Sequence, residues 1–161
     1  PITDRAKQSL FDVLAPWMEG AQVADVFAGT GSMGLECVSR GAAKAWFFEA
    51  DRGALAALRR NIGSLRAEDR SKVAAGDLFK LFAITDFGPG LDVAFLDPPY
   101  RFLVEKPEPL KALGAEIAAR LAPDGLVSFR HDTADTLELP GLVVKRVLTY
   151  GSMTIELLGK A

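Results

Sequence analysis

Short apolar runs rich in β-forming residues alternate with longer segments of helical period along the chain, and the alternation closes on two strands joined by three residues. Val23–Phe27, Lys44–Phe48, Ser71–Ala75, Leu91–Leu96 and Leu126–Phe129 read as strands. Between them, apolar side chains recur at spacings of three and four. Leu10, Phe11, Val13 and Leu14 mark a helix that begins near Ala6 and stops at Pro16, and a second helix runs from about Ser32 to Arg40, closed by Gly41. Leu55, Leu58 and Ile62 stripe a third, while Leu110, Leu113, Ile117 and Leu121 stripe a helix ended by Pro123-Asp124-Gly125. The last two strands, Leu142–Thr149 and Met153–Leu158, have only Tyr150-Gly151-Ser152 between them, and so short a connection joins antiparallel neighbours. Parallel strands need crossovers, which the helices supply. The pattern therefore predicts an α/β fold: a doubly wound, mostly parallel, Rossmann-like sheet ending in an antiparallel hairpin. Ligands of such sheets bind beyond the carboxyl ends of the strands, near the point where strand order reverses.

At 161 residues, with 49% apolar and 25% charged residues, the chain has one domain's worth of sequence, residues 1–161, and the composition of a packed protein. The longest uncharged stretch, Val26–Leu35, has ten residues, whereas a membrane span needs about 20. A single cysteine cannot build a disulfide framework, so a reducing cytoplasmic setting is expected, with a monomer as the default state. Nineteen Lys and Arg against 21 Asp and Glu give a net charge of −2, which excludes a protein that coats nucleic acid through bulk charge. A nucleic-acid enzyme with a local basic patch stays open. The chain opens at Pro1 without a methionine, which suggests a trimmed product or a fragment.

The turn after the first strand reads Asp25-Val26-Phe27-Ala28-Gly29-Thr30-Gly31-Ser32-Met33-Gly34 and contains GxGxxG between a strand and a helix. Glycines let the backbone turn tightly and let a ligand approach it. Asp25 bears on which ligand. A dinucleotide pyrophosphate at this helix N-terminus would be repelled by a carboxylate, whereas S-adenosylmethionine carries a sulfonium and an ammonium group that an aspartate attracts. The alternative is that Asp25 caps the turn through backbone hydrogen bonds. Glu49, 20 residues after Gly29 at the end of the second strand, can accept from both ribose hydroxyls of either cofactor. Asp51 reads as the N-cap of the next helix. Asp77 at the end of the third strand could take the adenine amino group, with Leu78 or Phe79 against the ring, or could equally cap a short helix.

Asp97-Pro98-Pro99-Tyr100 follows the fourth strand. Two prolines remove two donors and hold the backbone extended, so the Asp97 side chain and the Pro98 carbonyl become rigid acceptors beside an aromatic ring. The set suits an exocyclic amino group on a planar base. That nitrogen is a poor nucleophile because its lone pair is delocalised. Accepting both N–H hydrogens favours a more tetrahedral nitrogen aimed at a methyl donor, and Asp97 can take the proton afterwards.

On these two motifs the chain resembles class I S-adenosylmethionine-dependent methyltransferases of the amino-group type. More closely, it resembles the RsmD family of small-subunit (16S) ribosomal RNA guanine-N2 methyltransferases. The likeness spans nearly the whole chain: Pro1-Ile2-Thr3-Asp4-Arg5, the Asp25–Glu36 segment, Ser39-Arg40-Gly41-Ala42, Glu49-Ala50-Asp51-Arg52, Asn61, Asp97–Tyr100 and the Tyr150-Gly151 hairpin. The resemblance implies that Asp25, Ala28, Gly29 and Gly31 surround the methionine moiety, with Thr3, Asp4 and Arg5 covering that end and Phe27 and Ala50 also binding the cofactor. It implies Glu49 at the ribose, Asp77 and Leu78 at the adenine, and catalytic Asp97, Pro98, Pro99 and Tyr100 at the target guanine. Family members usually carry a short basic segment ahead of the PxTDR stretch, and the fifth strand here ends Phe129-Arg130-His131-Asp132 where a glutamate-containing end is expected.

Cys37 reads as a buried small apolar residue, and His131 as a surface or pocket-mouth residue; one of each supplies no zinc site. Arg5, Lys7, Arg101 and Lys106 are candidates for RNA phosphates or ordinary solvated charge. The expectation is methyl transfer from S-adenosylmethionine to a guanine N2 amine of ribosomal RNA, within a small-subunit particle. Alternatives are a DNA adenine-N6 or cytosine-N4 methyltransferase, a noncatalytic cofactor- or RNA-binding module, and an NAD-dependent oxidoreductase that would leave Asp97–Tyr100 without a role.

Overall fold

A computed structural model describes residues 2–161 of the chain; Pro1, the first residue of the PxTDR stretch, lies outside the described residues. The sheet has seven strands in the order β3-β2-β1-β4-β5-β7-β6. They are β1 (Gln22–Asp25), β2 (Lys44–Glu49), β3 (Ser71–Ala75), β4 (Leu91–Leu96), β5 (Leu121–Asp132), β6 (Leu142–Tyr150) and β7 (Met153–Lys160). The pairs from β3 through β5 are parallel, and β7 lies antiparallel between β5 and β6. The sequence-based fold is the one observed.

Alternation of side chains along the strands divides the core in two. Phe47 faces a cluster with Val23, Val93 and Phe95, covered by α1 (Asp4–Leu14), α2 (Ser32–Ser39) and α3 (Arg52–Ser64). Its neighbours Trp46 and Phe48 face the opposite cluster with Leu96 and Phe129, covered by α4 (Leu78–Leu81), α5 (Phe102–Glu105) and α6 (Pro107–Arg120). Helices on both faces explain why these strands are continuous apolar runs rather than alternating ones. Each fully buried phenylalanine contributes roughly 1.5–3 kcal/mol.

Several boundaries differ from the sequence reading, and two of them have a clear physical reason. β1 stops at Asp25, because Phe27 already belongs to the glycine turn, although Val26 still donates to the Phe95 carbonyl at 3.0 Å. β5 begins at Leu121, ahead of Pro123-Asp124-Gly125, which lies in an irregularity of the β4–β5 register between Leu91 and Val93. Gly125 makes that passable: a Cβ there would sit 2.5 Å from the Leu91 carbonyl oxygen. Among the described residues no helix is long and apolar enough to cross a membrane.

Strand order reverses between β1 and β4, and the connections leaving those strands diverge there. That switch point opens the crevice in which the site lies.

Candidate functional site

The glycine turn is pinned from four directions. The Gly29 amide donates to Glu49 Oε1 at 2.7 Å, the Gly31 amide to the Ala28 carbonyl at 2.8 Å, and the Gly34 amide to Asp25 Oδ2 at 2.9 Å. Asn61 Nδ2 donates to the Thr30 carbonyl at 2.9 Å. Gly31 has φ +90°, and a Cβ there would collide with Leu58 Cδ1, so the turn needs glycine on both conformational and packing grounds. Gly29, at φ +56°, faces open space instead, on the side where a ligand would approach.

Asp25 sits beneath this turn. It is 1% exposed and does not line the cleft, so the capping role is the one its geometry displays. Burial pushes its carboxyl from the ordinary 3.8 up to about 8, against the Gly34 hydrogen bond, with the charges of Asp97 and Glu49 adding to the rise. Asp97 loses its proton first, while Asp25 is neutral, so their repulsion falls on Asp25. Glu49, at the end of β2, is held by three amides: Gly29 on one oxygen, Ala50 and Asp51 on the other.

A cleft of about 480 Å³ opens above these residues, lined by Phe27, Gly29 and Glu49 on one side and by Asp97–Tyr100 on the other. Two larger hollows, about 700 and 770 Å³, lie elsewhere and contain none of the strand ends brought to the switch point. The Pro99 carbonyl is committed to the Phe102 amide at 2.8 Å, which leaves the Pro98 carbonyl as the acceptor of the proline pair. Tyr100 is 76% exposed at the rim, its ring open to stacking. The Asp97 side chain is 10% exposed; burial raises its carboxyl from 3.8 to about 6, against the opposing charge of Arg130.

The structure thus brings Phe27, Gly29, Glu49 and Asp97–Tyr100 to one cleft. Ala28 and Gly31 support the turn from below the cleft surface, and Ala50 flanks Glu49 outside the lining. Thr3 caps α1 through the Ala6 amide at 3.2 Å, with Asp4 in the first helical turn, and neither lines the cleft. Asp77 caps α4 through the Phe79 amide at 3.0 Å, with Leu78 buried behind it. Phe79 meets the cleft indirectly, edge-on to Phe27 at 6.5 Å between ring centroids.

The other wall comes from Arg130, His131, Asp132, Ser152 and Met153. His131, expected at the surface or the pocket mouth, is buried: Nδ1 faces the Asp132 carbonyl at 2.7 Å and Nε2 faces Glu156 Oε1 at 3.2 Å. Its position near the end of an interior strand, with the Phe129 ring tilted against it at 4.8 Å between centroids, accounts for the burial. Arg130 lies 3.5 Å from Asp97, a pairing the sequence reading missed. Opposite charges just beyond Leu96 and Phe129, at matching ends of two predicted strands, were the available signal. Cys37 is fully buried, and burial drives its thiol well above its ordinary value. Lys7 is engaged by Ser32 at 2.8 Å and Glu36 at 3.4 Å, and Lys106 lies over the Phe102 ring.

The family described as conserved hypothetical protein 95 matches residues 1–158. YlbH of Bacillus subtilis (strain 168) is 34% identical over 158 residues, covering 94% of this chain and 82% of that protein. The ribosomal RNA small subunit methyltransferase D of Escherichia coli (strain K12) is 39% identical over 101 residues, which is 63% of this chain and 50% of that one. Among solved structures, the yhhF protein of Escherichia coli superposes with a TM-score of 0.85 at 28% identity, over 98% of this chain and 87% of that chain.

Proposed function

This chain belongs to the RsmD family, matched under the description conserved hypothetical protein 95, and from that premise we propose that it methylates the N2 amine of a guanine in small-subunit ribosomal RNA. The observation that carries the reading is the cleft itself. It joins a turn suited to an adenosine cofactor to a pair of rigid acceptors suited to an amino group. The relative named ribosomal RNA small subunit methyltransferase D supplies the class of RNA.

S-adenosylmethionine fits the side chains present. Glu49 offers a fixed carboxylate at the ribose position, Gly29 leaves its approach open, and the carboxylates of Glu49 and Asp97 in the cleft favour a cation over a pyrophosphate. The same charges weigh against a nicotinamide dinucleotide. When bound, the cofactor supplies an electrophilic methyl group on a sulfonium. The chain's own part is positioning. Asp97 and the Pro98 carbonyl accept the two N–H hydrogens of the amine, Tyr100 stacks on the base, and Asp97 holds the proton released after transfer. The target guanine must be unpaired or extruded, since pairing occupies its amine. We further propose that Asp77 and Leu78 meet the adenine, that Thr3 and Asp4 close over the methionine end, and that the protein acts as a monomer on a small-subunit particle in the cytoplasm.

The test is transfer from labelled S-adenosylmethionine to hypomethylated small subunits, naked ribosomal RNA and DNA, followed by digestion to nucleosides. The expected product is N2-methylguanosine in the ribosomal samples alone. Methylated adenine or cytosine in DNA would instead place the chain among DNA amino-methyltransferases.

A further inference from the structure

Arg130 lines the cleft, and the proposed chemistry has so far given it no task. β4 and β5 run parallel with Leu96 beside Phe129, and one residue further along lie Asp97 and Arg130. Arg130 Nε lies 3.5 Å from Asp97 Oδ2, with the two side chains 25% and 10% exposed. A second guanidinium nitrogen donates to the Met153 thioether at 3.7 Å, so the group is held between the Asp97 loop and the β6–β7 hairpin. Both charges are largely withdrawn from water, which separates this contact from a surface ion pair of little energetic weight.

The surroundings of Asp97 make the partner consequential. Asp25 lies beneath it from β1, Glu49 faces the same cleft from β2, and Asp132 follows on β5. Among the described residues that line the cleft, Arg130 and His131 are the basic side chains, and His131 is turned to Glu156 on β7 and to the Asp132 carbonyl. Arg130 alone among them therefore opposes the carboxylates at Asp97.

We propose that Arg130 is a positioning residue for amine methylation: its guanidinium engages Oδ2 of Asp97 and so orients the carboxylate, leaving the other oxygen for the target N–H. The proposal rests on the amino-methyltransferase reading of the site. It assigns a use to the arginine that stands where a glutamate-containing strand end was expected. Burial drives Asp97 towards the neutral acid and Arg130 restrains it. Without the arginine, Asp97 takes up a proton at higher pH and loses its capacity as an acceptor and as the final proton holder.

The experiment uses the full chain with Arg130→Gln and Arg130→Lys, read in two ways. In the first, methyl transfer is followed from about pH 5 to about pH 9, with separate kcat and RNA KM values and cofactor affinity by calorimetry. In the second, the Asp97 carboxyl is titrated by carbon-13 NMR in aspartate-labelled protein, with Asp97→Asn assigning the resonance. Arg130→Gln is expected to lower kcat on the order of 10- to 100-fold, a loss typical of a misplaced catalytic group. It is also expected to move the acid limb of the profile and the Asp97 midpoint upward together, while cofactor affinity changes less than about twofold. Arg130→Lys, which keeps the charge without the planar fork, is expected to return the limb to near its wild-type position with an intermediate kcat.

An unmoved Asp97 midpoint in Arg130→Gln would overturn the proposal. So would a raised RNA KM and a shallower salt dependence with kcat and profile unchanged, since Arg130 would then be a phosphate contact. Failure of the underlying reading shows separately, as a wild-type product other than an N-methylated base, while the NMR titration still decides whether Arg130 governs Asp97.

Discussion

Tyr100 and Asp97 are three residues apart and live in opposite environments. The Asp97 side chain is nearly withdrawn from solvent, whereas the Tyr100 ring stands in it. An exposed aromatic has little to do for folding, so its value lies in what it can stack on. Tyr100→Ala should leave stability within about 0.5 kcal/mol, as surface substitutions do. Methyl transfer should fall by roughly 1–3 kcal/mol of binding, the usual worth of one base–aromatic stack, and the fall should appear in RNA KM. Thermal denaturation alongside steady-state kinetics checks both halves. At this scale the sequence was most informative where a residue type has few uses: the Asp-Pro-Pro-Tyr run pointed to a rigid amine-binding corner, and its residues do line the cleft. It was least informative for Asp25 and Asp77. A carboxylate at a strand end can cap a backbone or meet a ligand, and only coordinates show the Gly34 and Phe79 amides already engaged. The Arg130–Asp97 pair was hidden because it depends on the β4–β5 register, which hydropathy does not specify.

Among the elements, the β1–α2 turn depends on two glycines for different reasons. Gly31 needs a positive φ, whereas Gly34 lies in the first turns of α2 and needs only room. A Cβ at Gly34 would stand 2.8 Å from Phe47 Cζ, in the fully buried cluster under α2. Gly34→Ala is therefore expected to cost about 1–3 kcal/mol through overpacking, despite alanine's higher helix propensity. Urea unfolding measures it, and a stabilised variant would show that α2 is free to shift. Most elements were readable from the chain because both faces of the sheet are covered, which turns each strand into a bounded apolar run. β3 and β4 have the boundaries that hydropathy predicts. The start of β5 escaped because Pro123-Asp124-Gly125 is ordinary turn vocabulary, and its accommodation in a strand relies on contact with Leu91 from another part of the chain.

For the whole molecule, two buried carboxyls make stability depend on pH in a sense opposite to that of an acid whose proton affinity folding lowers. Each binds its proton more tightly folded than unfolded, so the folded state holds the extra proton between the two values and stability falls as pH rises through that window. The windows run from 3.8 to about 8 for Asp25 and from 3.8 to about 6 for Asp97. The urea midpoint should therefore be lower at about pH 8 than at about pH 5, and Asp25→Asn should flatten the decline in the upper part of the range. A wild-type midpoint that does not fall over that span would contradict the burial argument. Above about pH 6 Asp97 is ionised and, with Glu49 in the same cleft, favours a cationic cofactor over a pyrophosphate, which links the folding cost of this buried carboxyl to the reaction it frames.

Asp97→Ala, with cofactor binding by calorimetry and methyl transfer to hypomethylated small subunits followed on the same preparation, tests the central claim most directly. The account predicts a cofactor affinity within a few fold of wild type and a transfer rate lower by on the order of 100-fold or more. Transfer at the wild-type rate would contradict it, because the cleft would then bind its cofactor and methylate its target without the acceptor on which the mechanism depends.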